Sequence, residues 1–430
     1  MRRQENSISI LISTVIPTLV MFIAILPGCQ PNSSNSSNAK ELRKNLEFLA
    51  SDSLEGRETG FAGAEKAASF LVEKFTALGL DPAGEDGTYV QQFDFVPHPP
   101  IQEHVNDDGK SLGMAVVKKL NSVNVMGMLN KGAEETIIIG AHYDHVGWGA
   151  QNSFHTGDPQ IHNGADDNAS GVTALLELIA RLKNQELRHN ILFICFSGEE
   201  KGLYGSNFFC DNPTIDLGKV ECMLNMDMVG RLKDSNALAV NGAGTSPVWE
   251  EVVDSCNADS LNLVYSDSGV GPSDHTSFYL EDLPVLHFFT GQHEDYHKPS
   301  DDADKINFDG ILKVVGLIER VTVKLNDYQN MEFTKTKDSE SESTPAFNVT
   351  LGVIPDYLFD GEGMRIDGVS EEKPAHNAGI IAGDVVVQMG DHVVTDMQTY
   401  MEGLSMWEKG DTTTVIVNRD GTRKPFLVNW

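Results

Sequence analysis

Basic residues are scarce in this sequence. Its 430 residues include 32 lysines and arginines against 63 aspartates and glutamates, which gives a formal net charge of −31 at pH 7. A surface this acidic repels phosphate backbones and anionic headgroups, so neither nucleic acid nor an anionic lipid surface is an expected partner. The same charge favours cations such as metal ions, although much of it can also serve only to keep the surface soluble.

Cysteine is also scarce, with five residues and no Cys-x-x-Cys pair. The absence of that spacing argues against a zinc site built from thiolates. Cys195 lies in an apolar run and is predicted to be buried as a small hydrophobic residue. Cys210 and Cys222 are the nearest pair in sequence, but spacing alone does not decide whether they form a disulfide.

Residues 1–29 have the pattern of a targeting segment. Arg2 and Arg3 precede an apolar run over 8–26, and Leu26-Pro27-Gly28 leads into Cys29. This order resembles a bacterial lipoprotein signal in which the cysteine carries the lipid, with Pro27 where such signals usually have a small residue. An uncleaved membrane anchor is the alternative, because the run is nearly long enough to span a bilayer.

Both interpretations of this segment place the rest of the chain outside the cytoplasm. We expect lipidation at Cys29 and a flexible Ser/Asn-rich tether over 30–39. The predicted location is the bacterial cell envelope, with the remaining residues periplasmic or at the surface and a lipid anchor in the membrane.

Apolar runs alternate with amphipathic segments over 40–328. The predicted strands cover 90–96, 123–129, 136–141, 190–197, 220–226 and 284–289, and the predicted helices cover 39–50, 63–78, 171–183 and 306–325. Strands that are apolar throughout and alternate with helices indicate an α/β fold with a mostly parallel central sheet flanked by helices.

The composition changes after the last predicted helix. Residues 331–345 contain mainly Ser, Thr, Glu and Lys, which predicts a linker over 329–345. Residues 346–430 then show short strands with Gly and Asp turns, which predicts a small β-rich C-terminal domain.

Metal-ligand residue types follow three of the predicted strands. The strand at 136–141 leads into His142 and Asp144, the strand at 190–197 into Glu199 and Glu200, and the strand at 220–226 into Asp227. In an open α/β sheet, sites form outside the carboxyl ends of the strands. The sequence therefore predicts one site that collects residues from all three strands.

His142 and Asp144 are two residues apart on an extended segment, so their side chains point to the same side. A histidine ligand needs its second ring nitrogen held by an acceptor, and a nearby carboxylate is a common choice. A core histidine bonded to a loop carboxylate is the alternative interpretation. His145 fits a structural role and a role in the site equally well.

The remaining acids also have two interpretations. Asp166 and Asp167 before the helix at 171–183 could be ordinary N-terminal helix acids, but one carboxylate can also bridge two metal ions. Burying the adjacent Glu199 and Glu200 is unfavourable unless a cation compensates them. One could then bind an ion while the other accepts a proton from water. His297 would supply a further histidine ligand, or belong to a polar turn.

Taken in order, these motifs resemble those of the M28 family of zinc aminopeptidases over about 42–325. The motifs that carry the resemblance are His142-Tyr143-Asp144, Gly164-Ala165-Asp166-Asp167-Asn168-Ala169-Ser170-Gly171, Ser197-Gly198-Glu199-Glu200, Gly202-Leu203-Tyr204-Gly205-Ser206, Asn225-Met226-Asp227-Met228-Val229-Gly230-Arg231, Ser273-Asp274-His275 and Tyr296-His297.

The resemblance implies a site for two divalent metal ions, expected to be zinc. The implied ligands are His142, Asp167 and Asp227 for one ion and Asp167, Glu200 and His297 for the other, with Asp167 bridging. It further implies that Glu199 is the general base, that Asp144 orients His142 and that Tyr296 donates to the developing oxyanion. The residues expected near the substrate are Arg231, Ser273, Asp274 and His275.

The C-terminal domain resembles a PDZ domain through residues 351–354 and 375–387. Such domains accept a peptide strand at a sheet edge and hold a peptide C-terminus on a backbone loop. A peptide C-terminus is therefore the ligand this domain would take, and a structural cap on the larger domain is the alternative.

The resulting functional hypothesis is an aminopeptidase that hydrolyses N-terminal residues of peptide substrates. A carboxypeptidase or dipeptidase could use the same metal core. A glutaminyl cyclase-like acyltransferase is served by a single zinc, which would leave His142 and Asp144 surplus. A non-catalytic peptide-binding protein would be expected to have lost metal ligands, and all five positions are retained.

Overall fold

The computed structural model describes Met1 and residues 33–96, 102–104, 115–117, 119–149, 152–336, 349–356, 359, 361–369 and 373–430. The signal-like run and Cys29 lie outside these residues. Across the described ranges, no helix combines the length and the apolar character that crossing a bilayer requires.

Each predicted helix and strand corresponds to one in the structure, and the structure adds further helices and strands. The helices are α1 (Ser33–Leu49), α2 (Ala62–Leu78), α3 (Gly171–Leu182), α4 (Tyr204–Asp211), α5 (Trp249–Cys256), α6 (His275–Tyr279), α7 (Phe308–Lys324), α8 (Pro374–Ala378) and α9 (Met397–Ser405). The strands are β1 (Asp81–Pro82), β2 (Val90–Phe95), β3 (Gln102–His104), β4 (Ala115–Val117), β5 (Leu120–Leu129), β6 (Thr136–His142), β7 (Asn190–Phe196), β8 (Val220–Met226), β9 (Ala237–Asn241), β10 (Asn262–Ser266), β11 (Val285–Phe289), β12 (Val353–Pro355), β13 (Met364–Val369), β14 (Val385–Met389), β15 (His392–Val393), β16 (Thr412–Arg419) and β17 (Thr422–Asn429).

The main sheet has the strand order β1-β5-β7-β6-β8-β11-β9-β10, with β2 also paired to β5. Its centre is parallel, because β6 pairs in parallel with both β7 and β8, and β8 pairs in parallel with β11. Antiparallel pairs join β5 to β7 and β9 to β11. The predicted α/β fold is confirmed, and the sheet is mixed, with its parallel part limited to the centre and to the β9–β10 edge pair.

Helices cover both faces of this sheet. The larger core includes apolar side chains of α1, α2, α3, α5 and α7, whereas a second core packs α4 and α6 against the opposite face. Every residue of β6 and β8 is buried, as expected for strands covered on both sides. Strands β9 and β10 were not predicted, and the mixed, half-exposed pattern of β10 gives no continuous apolar signal.

Two predicted connecting segments differ in the structure. Helix α1 begins at Ser33, within the predicted tether. The first part of the predicted linker is fixed on the larger domain, because Thr334 N–H donates to the Thr245 carbonyl at 2.8 Å and Thr336 N–H donates to the Tyr279 hydroxyl at 3.0 Å. The linker prediction is therefore corrected for residues 331–336, where Met331 and Phe333 also pack against the apolar cores. Residues 337–345 lie outside the described part.

The C-terminal domain is a separate antiparallel sheet of order β12-β13-β14-β16-β17, with β15 on β14. It has its own apolar core. Asp384 is fully buried and accepts two charge-assisted bonds of 2.6 Å from Arg419, which joins the start of β14 to the end of β16.

The cysteines of the larger domain are all buried. Cys195, Cys210, Cys222 and Cys256 are free thiols in the structure, so Cys210 and Cys222 are not paired there. Cys195 is fully buried among apolar neighbours, as its sequence context predicted.

Candidate metal centre

The three acid- and histidine-bearing segments meet at one edge of the main sheet. His142 is the last residue of β6, Glu199 follows the end of β7, and Asp227 directly follows β8. Because these strands are adjacent and parallel, their carboxyl ends lie side by side. The structure therefore brings the three strand ends together, as predicted.

Asp167 lies between two histidines, with one carboxylate oxygen towards each. Its Oδ1 is 3.4 Å from His142 Nε2, and its Oδ2 is 3.2 Å from His297 Nε2. This is the arrangement that a carboxylate bridging two ions requires, because each oxygen faces a different ligand group.

Two groups of metal-ligand atoms share this carboxylate. In each group, the candidate ligand atoms lie within 4.8 Å of one another; the groups are His142, Asp167 and Asp227, and His145, Asp167, Glu200 and His297. Asp227 Oδ1 is 3.3 Å from His142 Nε2, and Glu200 Oε2 is 3.1 Å from His297 Nε2. All five predicted ligands are therefore brought together, and His145 joins them.

Asp301 binds the backbone of the loop that carries Asp167. The fully buried Asp301 carboxylate accepts the backbone N–H groups of Asp166 and Asp167 at 2.9 and 3.1 Å. Gly164 begins the loop with φ +55°, and a Cβ there would lie 2.1 Å from the Asp167 carbonyl oxygen. A larger residue at this position would displace the Asp167 backbone.

The two adjacent acids of this loop have different surroundings. Asp166 Oδ1 accepts from the Gly230 N–H at 2.6 Å and from the Ser170 hydroxyl at 2.9 Å, while its Oδ2 lies 3.1 Å from His293 Nε2. Asp166 therefore joins the loop to the segment after β8, and Asp167 is left to face the site.

Asp144 contacts His142 through its backbone carbonyl more closely than through the carboxylate that was expected to orient the ring. His142 Nδ1 lies 3.3 Å from the Asp144 backbone carbonyl and 3.7 Å from its carboxylate. The carboxylate accepts from the Thr59 hydroxyl at 2.6 Å and from the Glu199 N–H at 3.3 Å. Asp144 thus holds the His142 ring mainly through its main chain and positions Glu199 through its side chain.

Glu199 and Glu200 are neighbours with opposite electrostatic environments. Burial raises the pKa of Glu199 well above its usual range. Burial alone would also raise the pKa of Glu200, but His297 and His145 hold it well below its usual range, and His145 Nδ1 is 2.7 Å from Glu200 Oε1. The two neighbouring carboxyl groups are therefore shifted in opposite directions, Glu199 towards its protonated form and Glu200 towards its ionised form.

A small cavity of about 60 Å³ opens over these groups. Its described lining consists of Asp167, Glu199, Asp227, Met228, Pro272, His287, Phe289, Gln292, Tyr296 and His297. The Tyr296 ring stacks on His297 with centroids 3.9 Å apart, which places this predicted catalytic side chain at the cavity wall.

The residues predicted to lie near the substrate are not among the described residues that line this cavity. Arg231 is absent from the described cavity lining, and its guanidinium pairs with Asp295 at 3.0 Å. Ser273, Asp274 and His275 are fully buried behind the lining residue Pro272. Ser273 Oγ accepts a hydrogen bond from the Asn225 amide at 2.8 Å, so this stretch is joined to the end of β8.

Sequence reasoning did not single out His287, Phe289 or Asp301. His287 and Phe289 are two residues apart on β11, next to β8, so their side chains point to the same face of the strand. This spacing at the end of a buried strand was the signal in the sequence that could have identified them. Asp301 contacts a loop 134 residues earlier in the chain, and no local pattern reports such a contact.

A buried arginine ties the N-terminal region to this site. Arg57 is 1% exposed and donates to the carbonyl oxygens of Leu49, Tyr143, Asn163 and Gly164. It therefore fixes the residues after β6 and before the Asp167 loop at the same time. Its charge also acts on the nearby carboxylates of Asp167 and Asp144.

Replacing Arg57 by alanine is expected to lower the free energy of unfolding by about 3 kcal/mol or more, because it leaves buried carbonyl groups without donors. Urea unfolding of the full chain measures this. Lys66→Ala, which removes an exposed cation on neighbouring α2, should change stability by less than about 0.5 kcal/mol. A similar small effect of both variants would contradict the role assigned to Arg57.

The donor set at this edge fits a pair of divalent cations. The carboxylates of Asp144, Asp167, Glu199, Glu200 and Asp227 are all buried or nearly so. Buried carboxylates at such density are unfavourable unless cations compensate them. Mixed histidine and carboxylate ligation is typical of zinc in hydrolases, and one shared carboxylate is typical of paired ions.

Comparison with known protein families agrees with this geometry. The family model described as Peptidase family M28 matches residues 124–322, a range that contains every ligand of both groups. This part of the chain is similar to M28 peptidases. A second family model, described as PDZ domain, matches residues 331–429, in agreement with the separate antiparallel sheet.

Relatives of the M28 domain include aminopeptidase YwaD of Bacillus subtilis (strain 168), which is 26% identical over 242 residues, covering 53% of this chain and 50% of that protein. The chain thus spans about half the length of the curated relatives it matches.

Solved structures share the fold. BSAP, a zinc aminopeptidase from Bacillus subtilis, is 19% identical over 71% of this chain and 97% of its own, with a TM-score of 0.52. Porphyromonas gingivalis glutaminyl cyclase is 19% identical over 66% of this chain and 96% of its own, with the same TM-score of 0.52. Because a peptidase and a cyclase share the fold, the choice between these activities depends on the site itself.

Proposed function

We propose that the protein is a zinc-dependent aminopeptidase that hydrolyses N-terminal residues of peptides. The observation that carries this proposal is the Asp167 carboxylate, whose two oxygens face His142 and His297 at 3.4 and 3.2 Å. A single-ion cyclase would have no use for the His142 and Asp227 group, so the shared carboxylate favours the two-ion hydrolase.

The proposed mechanism assigns a role to each group at the cavity. His142, Asp167 and Asp227 would hold one ion, and Asp167, Glu200 and His297 the other. Zinc ions paired in this way lower the pKa of water and polarise a carbonyl group. Glu199 accepts the proton of the attacking water and passes it to the leaving amine, and the Tyr296 hydroxyl donates to the oxygen on which charge develops.

The cavity lining supports cleavage from the N-terminus. Its described residues include the carboxylates of Asp167, Glu199 and Asp227, and no lysine or arginine. A carboxypeptidase needs a cation to hold the substrate carboxylate, and the nearby Arg231 is already paired with Asp295. An acidic cavity instead complements the protonated α-amine of a peptide.

The test is a panel of aminoacyl p-nitroanilides and their N-acetylated counterparts, assayed with the zinc content measured in the same sample. We expect cleavage of the free-amine substrates and a rate at least about 100-fold lower for the blocked ones, since the acetyl group removes the cation that the cavity attracts. Equal cleavage of blocked substrates, or cyclisation of a glutaminyl peptide without hydrolysis, would overturn the proposal.

We further propose that Cys29 carries a lipid that anchors the enzyme in the cell envelope, on the basis of the preceding charged and apolar residues. Fractionation of cells producing Cys29→Ser should move the protein from the membrane to the soluble envelope fraction. Unchanged membrane retention would favour the uncleaved anchor instead.

For the PDZ domain, we propose a peptide C-terminus as ligand at residues 351–354, where Gly352 has φ +72°. Fluorescence anisotropy with a free-acid peptide and its amidated form tests this, because only the free acid should bind. Equal binding of both forms would contradict C-terminal recognition.

A further inference from the structure

A third group of metal-ligand residue types lies at the opposite end of the central strands of the main sheet. Glu135 precedes β6, His189 precedes β7, and Glu221 is the second residue of β8. Because these strands are adjacent and parallel, the three residues meet at their amino ends, away from the candidate metal centre. One ligand atom from each lies within 4.8 Å of the others.

His189 is the residue whose contacts require an explanation. It is 1% exposed, and neither of its ring nitrogens has a hydrogen-bond partner among the described residues. A buried imidazole with both nitrogens unpaired is unfavourable, and native structures rarely retain one without a ligand or a water. Its position within reach of Glu135 and Glu221 directs it into this group.

The ring is also in the form that binds metals. Burial lowers the pKa of His189, although the charges of Glu221 and Glu135 act to raise it, so the neutral form of the imidazole is favoured. A neutral imidazole cannot compensate the two carboxylates, but it offers a lone pair to a cation.

Glu221 connects this group to the segment that leads to the PDZ domain. It is 6% exposed, and its two carboxylate oxygens accept the backbone N–H groups of Asn330 and Met331 at 2.9 and 2.8 Å. These bonds use one lone pair on each oxygen, and a carboxylate has about four such positions. Glu221 can therefore hold this segment and a cation together.

We propose that Glu135, His189 and Glu221 form a third divalent-cation site, which takes a zinc-type ion and joins the amino ends of β6, β7 and β8 to the segment at 330–331. One imidazole and two carboxylates are a ligand set that zinc accepts. The positive charge of the ion would offset the negative charges of the two neighbouring glutamates. The site is structural, since it lies at the end of the central strands opposite the proposed catalytic centre, and it does not depend on the activity proposed above.

The test counts ions in the full-length protein. Protein loaded with zinc chloride is desalted into metal-free buffer, and zinc per chain is measured by mass spectrometry for the wild type, His189→Asn, Glu135→Gln and Glu134→Gln. We expect His189→Asn and Glu135→Gln to retain one zinc fewer than the wild type. Glu134→Gln, which removes the exposed neighbouring acid, should retain the wild-type number.

Two further readouts separate loss of an ion from loss of fold. Hydrolysis of an aminoacyl p-nitroanilide by the variants should stay within about twofold of wild type, and added zinc should raise the melting temperature of the wild type by several degrees more than that of His189→Asn. Equal zinc content in wild type and His189→Asn would overturn the proposal. Equal zinc-dependent stabilisation of the two would also overturn it. The comparison remains valid if the catalytic centre holds fewer ions than proposed, because the predicted difference is one ion.

Discussion

Replacing Glu199 by glutamine is expected to lower kcat by about 10²–10⁴-fold while the zinc content stays at the wild-type value, as expected when a general base is lost. Glu199 Oε2 lies 4.0 Å from His142 Nε2, farther than Asp167 and Asp227, and it belongs to neither ligand group. Glutamine keeps the size of the side chain but cannot accept a proton. Steady-state kinetics with an aminoacyl p-nitroanilide measures the effect.

The matched control for this prediction is Glu294→Gln, which neutralises an exposed acid in the segment that carries Tyr296. It should leave kcat within about twofold, because a solvated carboxylate outside the cavity neither binds an ion nor accepts the proton. If Glu199→Gln keeps more than a tenth of wild-type turnover, Glu199 is not the base. If it loses zinc, Glu199 is a ligand and the division of roles with Glu200 is incorrect.

Asp167→Asn is expected to have the second large effect, with loss of zinc from both positions and loss of detectable peptidase activity. Asparagine keeps the shape of the side chain but removes the charge and one of the two oxygens, so it cannot bridge. Removing partners that only support ligands already lowers metal affinity about 10–100-fold, so the loss of a bridging ligand should exceed about 100-fold. Zinc titration of the apoprotein measures this.

Asp158→Asn is the control, because Asp158 is an exposed acid between the end of β6 and the Asp167 loop in sequence. It should bind zinc and turn over substrate as the wild type does. A single zinc retained tightly by Asp167→Asn would show that one group holds its ion without the shared carboxylate. Two retained ions would remove the basis of the bridged centre.

The two proposed metal regions use the same parallel strands in opposite ways. The carboxyl ends of β6, β7 and β8 present the catalytic residues around an open cavity, whereas their amino ends place Glu135, His189 and Glu221 against a segment at the domain boundary. The first arrangement borders the cavity. The second uses its carboxylate contacts to hold the chain, and an ion there would stabilise the attachment.

The sequence by itself determined most strands of the main sheet and the positions of the metal-ligand residues that follow them. Continuous apolar runs identified β6, β7 and β8, since a strand covered on both faces has no polar side, and the residues after each run had to meet at one edge. The order of the motifs indicated the likeness to M28 peptidases. These conclusions depend on local patterns and one topological rule, so tertiary contacts were not needed to reach them.

Only the tertiary structure decided how neighbouring residues divide their roles. It directed Asp167 into the site and Asp166 towards Gly230, brought His145 to Glu200, and paired Arg231 with Asp295. Each of these outcomes depends on contacts between residues 55 to 64 positions apart in the chain. Adjacent acids have the same local preferences, and which of them faces a cavity depends on the partners that folding places around them.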